Sequence, residues 1–291
     1  MNIIRYRPAL GLAAWVDCFW YRAGAASTPG VCNQEGGISA RCSALPTGGM
    51  DIVFNLHQDS FEVLLPGGLD SVRTEGALVH GAQSSYFIIA ARARGASAGI
   101  HFRPGGGAVL LGLPASELTD QHLALSALWG AHARRLRTQL LECTAPAQIF
   151  HAMEQALLER LHRLQTPLVH PAISFALRSF AAPVGSSRVT PIQQATGYSA
   201  RRFNTLFQQA VGLVPKRFCR IQRLRAVVEQ VARGEPIEWA KLAVDNGYFD
   251  QSHLNRDFRL FSGVTPGQYR PVAQDSALHM KLEPGSGNGE S

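Results

Sequence analysis

Several signatures that would commit a chain to a particular chemistry are missing here. The five cysteines, Cys18, Cys32, Cys42, Cys143 and Cys219, are odd in number and include no CxxC pair, so they spell neither a disulfide framework nor a zinc site. Cys32 and Cys42 stay open as an oxidant sensor or metal ligands, with reduced thiols the plainer reading. No apolar run reaches the ~18 residues needed to cross a bilayer. The opening MNIIRYRP has no apolar signal region, so a reducing cytoplasm and no membrane partner are expected. His57, His80 and His101, with Asp51, Glu62 and Glu75, could furnish a barrel-type metal centre, but HxH and HExxH spacings are absent. A cysteine-based DNA-repair domain would need paired metal-type cysteine spacing, also absent. Gly105, Gly106 and Gly107 lack the following Lys and Ser or Thr of a phosphate loop, which leaves a tight strand-to-helix connection. No catalytic residue, cofactor or metal is assigned.

What is present is enough apolar material for two cores: 291 residues, 46% of them hydrophobic. The net charge of +7 is unevenly placed. Residues 1–165 hold 13 basic and 12 acidic side chains, residues 166–272 hold 14 and 6, and the remainder 1 and 3. The positive charge therefore belongs to the 166–272 segment, as expected of a module that neutralises phosphates. A solubilising basic surface would look the same by charge alone.

That segment contains one pattern twice. Residues 247–269 read GYFDQSHLNRDFRLFSGVTPGQY and residues 197–218 read GYSARRFNTLFQQAVGLVPKRF. A shift of 51 residues superposes Phe203 on Leu254, Phe207 on Phe258, Gly212 on Gly263, Pro215 on Pro266 and Phe218 on Tyr269. In the second copy Asp250 can cap a helix, Leu254, Phe258 and Phe261 share one face, and Gly263 can end it in the left-handed conformation. Thr265, Pro266 and Gln268 read as the capped start of another helix. Each copy follows a short helix ending at glycine, the first opened by Thr190, Pro191 and Gln193, the second spanning 237–246. Helix, glycine turn, helix with a polar outer face is the helix-turn-helix pattern. A further packing helix is expected over 171–182, stopped by 183–187.

At these residues the chain resembles the AraC/XylS family of bacterial transcription regulators. Residues 168–271 carry the likeness, most closely in the GYF, LNRDF and SGVTPGQYR runs. The resemblance implies two helix-turn-helix units joined by a long helix, expected over 216–233 and about 27 Å long. One monomer could then place both recognition helices in successive major grooves on one face of a duplex, ~34 Å apart. Base-edge contacts are implied for Arg201, Asn204 and Thr205, and at the matching second-unit positions Gln251, Ser252, Asn255 and Arg256. Arg can bind guanine, and Asn or Gln adenine, in bidentate fashion. Arg188, Arg202, Lys216, Arg217, Arg220, Arg223, Lys241 and His253 are phosphate candidates that position without specifying. For each of these a solvated helix face is the alternative. Double-stranded DNA is the expected partner, with RNA polymerase as a further one.

Residues 1–103 read as mainly β. Strand-like runs occupy 51–56, 61–65, 77–80, 86–91 and 98–102, and the Gly, Ser and Pro content of 23–49 reads as a loop. A small sandwich or barrel is expected, with an interior or mouth able to hold a small molecule. Helical periodicity takes over in 104–165, with helices over 128–141 and after Thr144 and Pro146, either completing this core or pairing with a second subunit. The fold class is thus α+β: a mainly β N-terminal sandwich or barrel with trailing helices, then an all-α domain of two helix-turn-helix units joined by a long helix. The strings LPTGGMDIVFNL, HFRPGGGAVLLGLP and ASELTDQHLALSALWG resemble N-terminal domains of some members of the same family, which implies sensing or dimerisation in 1–165. The expected partners there are a small-molecule effector or a second copy of the chain, with a protein-docking module the alternative. Arg92, Arg94 and Arg103 point to an anionic effector. Residues 273–291 read as a flexible tail, disordered from Pro284.

Overall fold

The computed structural model describes residues 3–24, 41–90, 95–164, 169–181, 188–273 and 277–281. Cys32, Arg92, Arg94, the expected boundary near 166, the stop at 183–187 and the tail from Pro284 lie outside them.

Two antiparallel sheets form the N-terminal half. The first joins β1 (Ile3–Tyr6), β2 (Val16–Arg22), β4 (Asp51–Asn55), β7 (Ala77–His80), β9 (Ser97–Phe102) and β10 (His122–Ala124) in the order β1-β2-β9-β4-β7-β10. The second joins β3 (Arg41–Ala44), β5 (Ser60–Leu64), β6 (Ser71–Glu75), β8 (Phe87–Ala90) and β11 (His279–Lys281) in the order β11-β3-β8-β5-β6. Period-2 alternation decides the layers. Ile52 and Phe54 of β4, with Ile100 and Phe102 of β9, point outward to the helices and are 0% exposed. Burying each stabilises the fold by about 1.5–3 kcal/mol. Val63, Leu78, Phe87 and Ala44 instead meet between the sheets.

Helices cover the outer face. They are α1 (Gly106–Leu111), α2 (Leu125–Trp129), α3 (Ala131–Glu142) and α4 (Pro146–Arg163). The continuous helix expected over 128–141 is broken because Gly130 adopts φ 55°, ψ −134°, separating α2 from α3. Gln148 accepts the Thr144 amide at 2.9 Å and so caps the start of α4. Glu154 of α4 accepts the Ala9 amide at 2.7 Å, and Phe150 stacks on Tyr6 at 5.4 Å. These helices therefore complete the first core.

The C-terminal half is all-α: α5 (Pro171–Phe180), α6 (Val189–Ala195), α7 (Ala200–Val211), α8 (Pro215–Val231), α9 (Trp239–Asp245) and α10 (Gln251–Ser262). The connecting helix α8 has 17 residues, about 25 Å. Two expectations change. Pro266–Gln268 is a single 3-10 turn rather than a new helix, although Gln268 does accept the Thr265 amide at 3.0 Å. Strands occupy two stretches read as a loop and a tail, where β11 pairs with β3 through His279↔Ala44, Met280↔Ser43 and Lys281↔Cys42. Four and three residues are too few to show period-2 patterning, so only the partner strand reveals them.

Candidate nucleic-acid interface

The two repeated helices are built alike. In α7, Ser199 accepts the Arg202 amide at 3.3 Å, Phe203, Phe207 and Val211 face the core, and Gly212 closes the helix at φ 89°. In α10, Asp250 accepts the His253 amide at 2.7 Å, Leu254, Phe258 and Phe261 face the core, and Gly263 closes it at φ 77°. Ser199 and Asp250 stand 51 residues apart, so the offset holds for the caps as well. The outer faces are polar. Arg201, Arg202, Asn204 and Thr205 are exposed on α7, as are Gln251, Ser252 and Arg256 on α10, with Asn255 half-buried. The Thr205 hydroxyl donates to the Arg201 carbonyl at 3.1 Å, which leaves its oxygen lone pairs and methyl group facing out.

The phosphate candidates divide. Arg188, Lys216 and Lys241 are exposed at α6, α8 and α9. His253 is half-buried beside the Tyr248 ring, 5.2 Å between centroids. Three arginines of α8 are engaged inside the protein. Arg220 donates to the buried Asp257 carboxylate at 2.6 and 3.2 Å, and that bond pushes its pKa up. Arg217 donates to the Ser84 carbonyl at 2.6 Å and lies over the Phe261 ring. Arg223 donates to the Gly247 carbonyl at 2.9 Å and lies over Tyr248. Residue type placed these three on the phosphates; the aromatic and acidic side chains facing them across the fold hold them inside. Phe249 is what the sequence reading passed over. It is 88% exposed beside the start of α10, while its neighbour Tyr248 takes the core position.

The two halves are packed together along one continuous core. The Thr119 hydroxyl donates to the Gly212 carbonyl at 2.5 Å, and Gln222 donates to the Thr47 carbonyl at 2.9 Å. A Cβ at Gly212 would lie 2.8 Å from that of Ala82, and one at Gly48 would strike Gln222 and Phe218. Thr47, Gly48, Gly105, Ala115 and Thr119 come from the three N-terminal strings quoted above, and all sit at this seam. The seam takes the C-terminal end of α7 and leaves its polar face free.

The effector candidates separate too. Arg103 donates to the Ala13 carbonyl at 2.9 Å and lies 3.6 Å from Asp17, engaged at the rim rather than facing an interior. Polar groups line the space between the sheets instead. Cys18, His101, Asp51, His80 and His122 are direct cross-strand partners over five strands. His101 and Asp51 meet at 2.6 Å, yet their side chains keep 16% and 25% exposure. Burial opposes charge on both, but their mutual attraction wins, holding the carboxyl low and the imidazole high. His80 and His122 share one proton between Nδ1 atoms 2.7 Å apart. Burial drives His80 down to about 3 and His122 to about 4, so the pair is neutral. These histidines thus have partners of their own, and among the described residues no three His, Cys, Asp or Glu converge as a metal site would require. Burial pushes the Cys18, Cys42 and Cys219 thiols up to about 11, which keeps them protonated.

Comparison with known proteins follows this division. Residues 192–271 match a helix-turn-helix domain family, and residues 4–124 match a domain of unknown function, DUF6597. An uncharacterized HTH-type transcriptional regulator of Haemophilus influenzae is 26% identical over 122 residues, 41% of this chain. The match spans 40% of that relative's length. Among solved structures, an apo form of a ToxT variant from Vibrio cholerae aligns with a TM-score of 0.46 at 10% identity, over 86% of this chain and 95% of that one. Wild-type ToxT with a bound unsaturated fatty acid aligns at 0.42 and 8%, over 78% and 88%. No helix among the described residues is long and apolar enough to cross a membrane.

Proposed function

Since the chain is a DNA-binding transcription regulator of the AraC/XylS type, we propose that it reads one asymmetric DNA site with both of its recognition helices and that a small molecule bound in its N-terminal half adjusts that reading. The observation that carries the first part is the pair of capped helices, 51 residues apart and both packed on the connecting helix α8, each turning a polar face outward. Arg201, Asn204 and Thr205 read base edges from α7, and Gln251, Ser252, Asn255 and Arg256 do so from α10. Arg188, Arg202, Lys216, Lys241 and His253 fix the register on phosphates, while Arg217, Arg220 and Arg223 serve the fold. The mostly buried but still accessible Asp51–His101 pair between two sheets supports the second part. A ligand there changes transcription only if it favours one arrangement of the two halves. The protein acts in the cytoplasm, with RNA polymerase and a second copy of itself as further partners.

Selection of duplexes from a random pool by the full chain tests the DNA reading. Two short contacted elements in adjacent major grooves, roughly one helical turn apart, are expected. Binding that falls with salt but selects no sequence would overturn it. A thermal-shift screen of the full chain against a broad metabolite set tests the sensor reading: a dose-dependent rise in melting temperature is expected, and the absence of any rise would leave the N-terminal half as a dimerisation or docking module.

A further inference from the structure

Rows of side chains on the inner face of the first sheet follow from its register. Two residues along each strand from the histidine row, Trp20, Gly99, Val53 and Leu78 lie opposite one another, and two further on come Arg22, Ser97 and Asn55. The Trp20 ring lies directly over Gly99, where a Cβ would come within 2.5 Å of it. The far wall belongs to the second sheet, where His279, Ala44 and Phe87 form a row across β11, β3 and β8. Phe87 stacks on His80 at 4.6 Å, and Ala44 packs with Leu78, so this row faces the first sheet. His279 shares its face. Its imidazole lies within electrostatic reach of Asp51, His101 and Arg22, and burial holds it neutral.

Two polar groups in this space lack hydrogen-bond partners among the described residues. Asp51 is occupied by His101. The Arg22 guanidinium is half-buried against Cys42 of β3, and its Nε has no hydrogen-bond partner among the described residues. Neither has the Ser97 hydroxyl directly across from it. A guanidinium with an unpartnered Nε–H and a hydroxyl, both short of an acceptor, suit a planar anion such as a carboxylate, and the indole of Trp20 offers an apolar surface one row away.

His279 also has a short route to the DNA-binding half. The Val272 amide donates to the His279 carbonyl at 2.8 Å, and the Tyr269 hydroxyl donates to the Ala277 carbonyl. The Tyr269 ring packs edge-on against Phe258 of α10, 5.6 Å between centroids. The hairpin that carries β11 is thus fastened both to the inter-sheet wall and to the second recognition helix.

We propose that the space between the sheets takes a small organic carboxylate on Arg22 and Ser97, and that β11, through His279, transmits its occupancy to the second helix-turn-helix unit. This rests on the sensor reading above and gives it a ligand class and a lever. The test uses the full chain in a thermal-shift assay with short aliphatic and aromatic carboxylates, the matched primary amides as neutral controls, and a set of uncharged metabolites. Carboxylates should stabilise and amides should not. Arg22→Gln should weaken carboxylate binding about ten- to a hundredfold, and Ser97→Ala should weaken it several-fold, about the loss of one neutral hydrogen bond. His279→Ala should still bind the carboxylate, while its affinity for the selected duplex no longer responds to it. Equal stabilisation by amides, or unchanged binding in Arg22→Gln, overturns the carboxylate site. An unaltered DNA response in both His279→Ala and a chain ending at Ala273 overturns the lever. Stabilisation by uncharged metabolites alone refutes this proposal and leaves the sensor reading standing, whereas no stabilisation by any class removes both.

Discussion

The two helix-turn-helix units share a sequence pattern, a cap and a left-handed glycine, but they are held by different forces. The first closes on an aromatic stack: Phe207 lies 5.5 Å from Phe218 and 5.8 Å from Phe180, edge to face in both cases. It is also pressed onto the N-terminal half at Gly212, against Ala82, Ala115 and Thr119. The second has as many buried rings but fewer ring–ring contacts, and adds charge. Asp257 is 1% exposed and is neutralised by Arg220, with Arg217 and Arg220 both over Phe261. Its ties to the N-terminal half are a Ser85–Leu260 hydrogen bond of 3.3 Å, Tyr86 beneath Gly263, and the hairpin to β11. Dispersion and apolar burial act over a wide surface and have no directional requirement. A buried ion pair depends on one geometry and on both partners. The first unit is therefore the anchor and the second the adjustable one.

The largest expected effect attacks that difference directly. Asp257→Ala leaves the Arg220 charge without its partner against an aromatic ring. Loss of one member of a buried pair costs about 3–5 kcal/mol, and the lower end applies because Arg220 keeps 28% of its side-chain exposure. Hydrogen exchange should show α9 and α10 losing protection while α7 retains it. Equal loss in both would mean that the units open as one body, and the contrast would fail.

Acid should act on the other anchor. His80 and His122 lie at the ends of β7 and β10, and the chain runs on from His80 to Ala82 and back from His122 to Thr119, the seats of Gly212. Their pKa values are depressed, so the unfolded chain binds more protons and the stability they confer is present above about pH 6.5 and lost as pH falls. Each contributes about 1.4 kcal/mol per pH unit between its folded and unfolded values. His101, pushed up by Asp51, keeps its contribution in this range. The melting temperature of the full chain should fall steadily from roughly pH 6 to 4.5, with protection at the α7 end lost early. A flat profile over that range would contradict the neutral pair.

Specificity offers a third comparison. Arg256→Ala should lower affinity for the selected duplex by about 1–3 kcal/mol beyond its effect on random DNA. Asn204→Ala makes the matching change on α7. A loss of similar size from both would show the units reading equally, whereas Arg256 losing as much on random DNA would move it to the phosphates.

The repeat was legible because a helix carries its packing face, cap and stop within a dozen residues. Leu254, Phe258, Phe261, Asp250 and Gly263 all stand where periodicity and capping put them, as do strands β4, β7 and β9. What could not be read is whatever depends on a distant partner. Arg217 and Arg220 look like phosphate ligands until Ser84 and Asp257, 133 and 37 residues away, come into view. The cross-strand row from Cys18 to His122 draws one residue from each of five separate strands, so no local spacing marks it. Gly130 shows the reverse case: a local signal, one glycine inside an apolar pattern, that was read through when it was a break.

The smallest effect concerns the seam itself. Thr119→Val keeps the shape of the side chain and removes the hydroxyl that donates to the Gly212 carbonyl. Val is no true replacement for Thr, since the carbonyl is left without its donor. The expected cost is about 1 kcal/mol, too little to unfold the chain and enough to alter how often the first unit leaves its seat. If that unit is an anchor that must stay docked while the second adjusts, the substitution should weaken binding to the full selected site by up to about fivefold, the fold-change equivalent of that energy, and leave binding to the second unit's element alone unchanged. Tighter binding in Thr119→Val would mean that docking opposes DNA engagement. The seam would then be a restraint to be released, and the roles assigned to the two units would exchange.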